Sequence, residues 1–223
     1  MIRTMLFIIQ FYAITVANQN SYQIKLYNIP VAKAIISRSD TMVNNIECKV
    51  ITFSAVSNKL TNIFFPIDNY YSMIIEENTY NVLNFKKETY QPGLSNTIQT
   101  QRIGSKTYYL DTMTEIPKGA FNIFTLLDYI SYNDYSKLLK QDFLLEREGI
   151  HYKAQMKREK DYLVLDINNL FNDKRIVEFT DIFSWAVFKD GASRMIWIDQ
   201  ESKRISKCLF EVNGINLEAI LDE

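Results

Sequence analysis

Apolar and polar residues alternate along most of this chain, and the alternation is clearest from Gly149 to Arg158. Ile150, Tyr152, Ala154 and Met156 share one side of that run, while the residues between them are polar. A period of two predicts a β-strand with one buried face. Glu148-Gly149, just before the run, predicts a hairpin turn.

The same strand pattern recurs on both sides of this run, with short connections that predict an antiparallel meander. The C-terminal stretch Arg194–Leu221 predicts three strands, with its second turn at Asn213-Gly214. The other strand-like stretches are Tyr22–Ser39, Ile46–Val56, Tyr70–Tyr90, Thr97–Asp111 and Asp161–Asn168.

One segment breaks the strand pattern. Phe121, Phe124 and Leu127 recur at helical spacing, and Asn122 can act as the N-cap. We therefore predict a helix from about Asn122 to Tyr132. The predicted fold is mainly β: a strongly curved antiparallel sheet or incomplete barrel, with one mid-chain helix packed on its concave side. Such a helix would cover a sheet face that otherwise invites aggregation.

The N-terminal residues have the layout of a secretory signal peptide. Arg3 precedes an apolar run from Met5 to Val16, and small residues follow, ending at Ala17. The run is too short for a membrane-spanning helix, which needs about 20 residues. We expect residues 1–17 to be a signal peptide, residues 18–223 to form a single β-rich domain without a transmembrane segment, and the mature protein to be periplasmic.

Composition and charge exclude several classes of function. Hydrophobic residues make up 47% of the 223 residues, enough for a folded core. The net charge of −1 offers no electrostatic footprint for nucleic acid. We expect no nucleic-acid partner.

Few residues suited to catalysis or metal binding are available. The chain has a single histidine, and no phosphate loop or nucleophile elbow is present. We therefore expect no metal site, no cofactor and no catalytic residues, and predict a protein that is not an enzyme. Cys48 and Cys208 could form one disulfide in an exported protein, but two buried free thiols are the favoured interpretation.

Several short motifs, in their order along the chain, resemble domain-of-unknown-function family 3108, whose members are exported proteins of Gram-negative envelopes. The motifs are Tyr27–Ala34 (YNIPVAKA), the helix segment Asn122–Ser131 (NIFTLLDYIS) and Ile196–Asp199 (IWID). Asn28 and Ala32 depart from this pattern, since the family tends to have Gly there. The resemblance implies an envelope protein and no particular activity.

Two functions remain open. The first is the binding of a lipid or other apolar small molecule inside the curved sheet, and the second is the binding of an envelope protein partner through a sheet edge. The residues expected to contact a ligand are Phe124, Leu127, Tyr152, Met156 and Trp197, with Trp197 at the mouth of the pocket. The two functions differ in whether the concave face is filled by the protein's own side chains.

Overall fold

The computed structural model describes residues 18–170 and 180–222, and within these ranges strands dominate. The strands are β1 (Asn18–Leu26), β2 (Ile29–Val43), β3 (Ile46–Ser57), β4 (Asp68–Glu76), β5 (Val82–Gln91), β6 (Leu94–Ile103), β7 (Lys106–Tyr109), β8 (Glu115–Ile116), β9 (Phe143–Arg147), β10 (Ile150–Glu159), β11 (Tyr162–Asn169), β12 (Ser193–Ile198), β13 (Ile205–Val212) and β14 (Ile215–Leu221). The helices are α1 (Thr61–Phe64), α2 (Ile123–Tyr132), α3 (Tyr135–Leu138) and α4 (Ile182–Phe188).

All of these strands belong to one 14-stranded antiparallel sheet, with the order β8-β7-β6-β5-β4-β3-β2-β1-β14-β13-β12-β11-β10-β9. The order describes two meanders, β1 to β8 and β9 to β14. They are joined where β1 pairs with β14, with Tyr22 opposite Leu221. The predicted mainly β, antiparallel and strongly curved fold is confirmed.

The sheet nearly closes into a barrel and leaves one seam, between β8 and β9. Phe121 partly covers the free edge of β9, where it forms an isolated bridge with Leu145. The Phe121 N–H donates to the Leu144 carbonyl at 2.9 Å, and the Glu146 N–H donates to the Phe121 carbonyl at 2.8 Å. The chain therefore seals part of its own edge before it enters α2.

The hairpin turns lie where the sequence predicts them. Glu148 and Gly149 both have positive φ, at 53° and 87°, and Asn213 and Gly214 have φ of 50° and 77°. Two consecutive residues of positive φ match the right-handed twist of the adjoining strands. In β10, alternate residues are buried, and these include Tyr152 and Met156, as the alternation predicted.

Helix α2 confirms the predicted mid-chain helix. The Asn122 side chain accepts a hydrogen bond from the Thr125 N–H at 2.9 Å, which is the predicted N-cap. Leu126 and Ile130 are almost completely buried, so α2 packs on the concave side of the sheet. The helix is amphipathic, and its apolar face completes the core.

The expectation of one helix is incomplete, because α4 also packs inside the sheet. Asp181 caps its N-terminus by accepting from the Phe183 and Ser184 N–H groups, each at 3.0 Å. The buried Arg194 guanidinium donates to three carbonyls at and just after the C-terminus of α4, those of Val187, Lys189 and Ala192. The sequence of α4, IFSWAVF, is almost uniformly apolar and short, so its periodicity could not distinguish a helix from a buried strand.

Residues 1–17, the predicted signal peptide, lie outside the described residues. Within residues 18–170 and 180–222, no helix has the length and apolar character required to cross a membrane.

Candidate functional site

A cavity lies between the two interior helices and the middle of the sheet. Its volume is about 70 Å³. Strands β1, β2, β13 and β14 form its floor, and α2 and α4 cover it. Each of these six elements contributes an apolar side chain to the lining: Ile24, Ile36, Phe210, Leu217, Phe124 and Phe183.

An aromatic cluster borders this cavity and fills the space beside it. Phe53 and Phe124 stack with their ring centres 4.4 Å apart. Phe183 packs edge-on against Phe53 at 5.7 Å, and Tyr71 packs against Phe124 at 5.1 Å. Helices α2 and α4 thus touch the same ring of β3, and the protein's own side chains occupy much of the concave face.

A polar space of about 50 Å³, called the mouth, adjoins the apolar cavity at the end of the sheet where β1 begins. Tyr22, Ile36 and Leu127 line both spaces. The polar side of the mouth is formed by Asn18, Asn20, Arg38, Asp128, Ser131, Lys203 and Arg204. The charged groups at the surface and the apolar interior therefore lie on two sides of the same side chains.

Asp128 is the acidic residue that lines this mouth, and its carboxylate is paired with a cation. The Arg38 Nε lies 3.1 Å from one of its carboxylate oxygens, and the Tyr80 hydroxyl donates to the other at 3.0 Å. Burial raises the pKa of Asp128 above its usual value, although the Arg38 charge opposes that shift. The Arg38 guanidinium also lies 4.0 Å from the centre of the Tyr132 ring.

A second cluster, of buried charges, lies on the other side of Phe124. Lys87, on β5, donates to Glu148 in the β9–β10 turn and, at 2.7 Å, to Asp181 at the start of α4. Lys87 and Asp181 are almost completely buried. Burial alone would raise the pKa of Asp181, but the charge and hydrogen bond of Lys87 outweigh it and lower that pKa to about 2. The cluster joins three distant parts of the chain.

Tyr109 and Glu146 form a further buried pair beside this cluster. The Tyr109 hydroxyl donates to Glu146 at 2.7 Å, and the Gly149 N–H donates to its other oxygen, also at 2.7 Å. Burial raises the pKa of Glu146 to about 7. The adjacent space of about 30 Å³ can hold two or three waters at about 10–15 Å³ each, which is too little for a substrate.

The structure places two of the five predicted ligand contacts at the cavity. Phe124 and Leu127 line the apolar cavity and its mouth. Tyr152 and Met156 are buried on the concave side but do not line that cavity, and Tyr152 packs against Phe188 with ring centres 4.7 Å apart.

The expected position of Trp197 is wrong. Its neighbours Ile196 and Ile198 are the buried residues of β12, so Trp197 points to the outer face. There it packs against Tyr162, with ring centres 4.9 Å apart, and Lys207 lies 5.2 Å above its ring. Alternation required Trp197 to face away from both isoleucines, but the sequence could not show which face was concave.

Cys48 and Cys208 are both buried free thiols. They lie on β3 and β13, which β2, β1 and β14 separate in the sheet. Burial raises the pKa of Cys208, which lines the apolar cavity, to about 12, so this thiol remains protonated. Across the described ranges, no group of three or more His, Cys, Asp or Glu side chains is arranged to hold a metal ion.

Sequence reasoning missed several residues that line the cavity and its mouth. Phe183 belongs to the unpredicted helix α4, and Arg38 and Arg204 reach the mouth from β2 and the β12–β13 turn. Arg38 alternates with apolar residues in a strand, which is also typical of an ordinary solvent-facing position. No local signal distinguishes the two cases.

Fold and site together define a β-barrel-like protein with helices packed inside an incompletely closed sheet. The structure is similar to the crystal structure of a beta-barrel-like protein of domain of unknown function DUF1849 from Brucella abortus, with a TM-score of 0.52 and 8% sequence identity. The match covers 93% of this chain and 96% of that chain. At this identity the likeness shows the fold alone.

No family model matches the sequence, and no curated protein matches it. The structural neighbour supports a β-barrel-like fold and does not single out family 3108.

Proposed function

We propose that this protein is a non-enzymatic carrier or sensor that binds the apolar part of a small molecule in the cavity between α2 and α4. One observation carries the proposal: a cavity lined by apolar side chains adjoins a polar space at the surface, and half-buried Phe124 and Leu127 line both. Burial of an apolar chain in such a space is favourable by about 25 cal/mol per Å².

The size of the cavity limits the ligand. About 70 Å³ corresponds to roughly five to seven water positions at about 10–15 Å³ each, whereas pockets for drug-sized ligands measure about 300–1,000 Å³. The aromatic cluster of Phe53, Phe124 and Phe183 occupies the remaining space. A single short or medium acyl chain suits this cavity better than a lipid with two long chains.

The alternative function, strand addition by a partner protein, has less support. The sheet edges are β8, with two residues, and β9, with five. The backbone of Phe121 already forms two hydrogen bonds with the backbone of β9. Short or covered edges are the usual protection against pairing with another chain.

We also propose that the protein has no catalytic activity. The buried carboxylates Glu146, Glu148 and Asp181 are engaged with Tyr109 or Lys87, and the space beside them is water-sized. A general acid or base must be within reach of a substrate proton, and the space of about 30 Å³ beside these groups has no room for a substrate.

Export to the periplasm and kinship with family 3108 belong to the same proposal. Residues 1–17 carry the features of a signal peptide, and an apolar ligand that is poorly soluble in water suits a carrier in an aqueous envelope compartment. Expression in a Gram-negative host, followed by N-terminal sequencing of the periplasmic fraction, should give a protein that begins near Asn18. Recovery of intact Met1 on cytoplasmic protein alone would contradict export.

Calorimetric titration with saturated fatty acids of six to fourteen carbons, each below its micellar concentration, tests the binding function. Affinity should rise about fourfold per added methylene, at about 0.8 kcal/mol each, and then level off when the cavity is full. Leu127→Trp places a larger ring in the passage and should weaken binding.

Leu139→Trp is the matched control, because Leu139 is exposed on the segment after α3 and does not line the cavity. It should bind like the unsubstituted protein. If the folded protein binds no single-chain amphiphile saturably, the proposed function is wrong.

A further inference from the structure

We infer that the ligand is an anionic amphiphile, whose charged end is held at the mouth by Lys203 and Arg204 while its chain enters the apolar cavity. The inference rests on the proposed function and adds the chemistry of the head group. The carboxylate of a fatty acid and the phosphate of a single-chain lysolipid share that chemistry.

The charges that line the mouth are predominantly positive. Arg38, Lys203 and Arg204 supply three cations, and Asp128 supplies one carboxylate. Asp128 is paired with Arg38 at 3.1 Å and accepts from Tyr80. The net charge that remains for a ligand comes from Lys203 and Arg204.

Lys203 and Arg204 are exposed, and neither has a carboxylate partner within 4 Å in the described part of the chain. The nearby acidic groups are Asp199 and Glu201 in the same turn. The Asp199 carboxylate accepts from the Ser202 N–H at 2.6 Å, which stabilises the turn. Neither cation is held in a direct ion pair, so both can contact an incoming anion, while Asp199 and Glu201 reduce the net positive charge of the turn.

The mouth that the cations line and the apolar cavity share several side chains. Ile205 follows Arg204 directly and lines both the mouth and the cavity, as do Tyr22 and Phe124. A molecule with an apolar chain among these side chains places its other end beside Lys203 and Arg204. An uncharged head group would gain no ion pair from these two exposed cations.

The strength expected from these contacts is modest. Exposed ion pairs contribute about 0.2–1 kcal/mol each, so two of them should favour an anion by about two- to thirtyfold over a neutral molecule with the same chain. Salt should reduce the preference, because exposed charges are screened.

The experiment compares three probes of equal chain length at pH 7.5 by calorimetry: decanoate, 1-decanoylglycerol and decylammonium. The protein should bind decanoate about five- to tenfold more tightly than 1-decanoylglycerol, and decylammonium most weakly. Lys203→Gln combined with Arg204→Gln should reduce the preference for decanoate to less than twofold, with the affinity for 1-decanoylglycerol unchanged. A lysophosphatidic acid of the same chain length, assayed in parallel, distinguishes a phosphate head from a carboxylate.

Lys59→Gln is the control, because Lys59 is exposed next to Asn58, which contacts Pro30 and Val31 at the opposite end of the sheet. It should keep the preference for the anion. Equal affinity for decanoate and 1-decanoylglycerol, or tighter binding of decylammonium, overturns the inference and leaves the proposed function intact. Failure of all probes to bind overturns the proposed function itself.

Discussion

The hydroxyl of Tyr109 donates a hydrogen bond of 2.7 Å to the carboxyl group of Glu146, and this bond crosses the seam of the sheet. Tyr109 ends β7, near one edge of the sheet, and Glu146 lies on β9, the strand at the other edge. Both side chains are buried. A buried polar contact therefore joins the two edges of the incomplete barrel, in addition to the backbone bridge at Phe121.

The protonation of Glu146 should make stability depend on pH. Its pKa is about 7 in the folded protein and about 4.5 when unfolded, so the folded state holds the proton more tightly. Below pH 4.5 Glu146 is protonated in both states and does not lower the free energy of unfolding. That free energy then falls as the pH rises from 4.5 to 7. Glu146→Gln should match the unsubstituted protein at pH 4.5 and exceed it by up to about 3 kcal/mol at pH 8, measured by urea denaturation.

Glu115→Gln is the control for that comparison, because Glu115 forms an exposed pair with Lys106 at 2.8 Å. It should show no comparable difference between the two pH values. A Glu146→Gln protein that is less stable at pH 8 than the unsubstituted protein would show that the charged carboxylate is preferred in the seam.

Removal of the Lys87 charge should be strongly destabilising. Lys87→Met would leave Glu148 and Asp181 buried without their cation, which typically costs about 3–5 kcal/mol. Neutralising both acids as well, by Glu148→Gln and Asp181→Asn, should recover part of that loss. Lys86→Met is the matched control, since Lys86 forms a surface pair with Glu88 at 2.8 Å and should cost less than about 1 kcal/mol. Equal effects of the two methionine substitutions would refute the buried cluster as a stabilising element.

The aromatic cluster gives a test of the helix on the concave side. Phe124 stacks on Phe53 and is half-buried, so Phe124→Ala should lower the free energy of unfolding by about 3 kcal/mol, near the lower end of the usual cost for a buried Phe. Phe64→Ala removes the same atoms from a side chain that is 85% exposed and should change stability by less than about 0.5 kcal/mol. The reverse order in thermal denaturation would mean that α2 does not pack on β3.

The cap of α2 should contribute measurably to stability. Asn122→Ala removes the acceptor for the Thr125 N–H and should cost about 1 kcal/mol. Asn122→Ser keeps a capping oxygen and should recover most of the loss in chemical denaturation. Identical stabilities of the Ala and Ser variants would show that the cap contributes nothing.

Much of the local structure was predictable because it depends on neighbouring residues. The alternation in β10, the turns at Glu148-Gly149 and Asn213-Gly214, and the Asn122 cap each follow from a few consecutive residues. Helix α4 was missed for the same reason, since its seven mostly apolar residues carry no period of their own.

The sequence by itself determined that this chain forms antiparallel strands with a capped helix, because hydrophobic alternation and turn chemistry act over short distances. Only the tertiary structure decided which face of each strand became the interior, and so placed Trp197 outside and Phe124 at the cavity. It also decided that β1 pairs with β14, which brings Tyr22 and Cys208 to one cavity and places Arg38, Lys203 and Arg204 around one mouth. Such contacts join residues far apart in the chain, and their energy depends on a closed shape that no local pattern encodes.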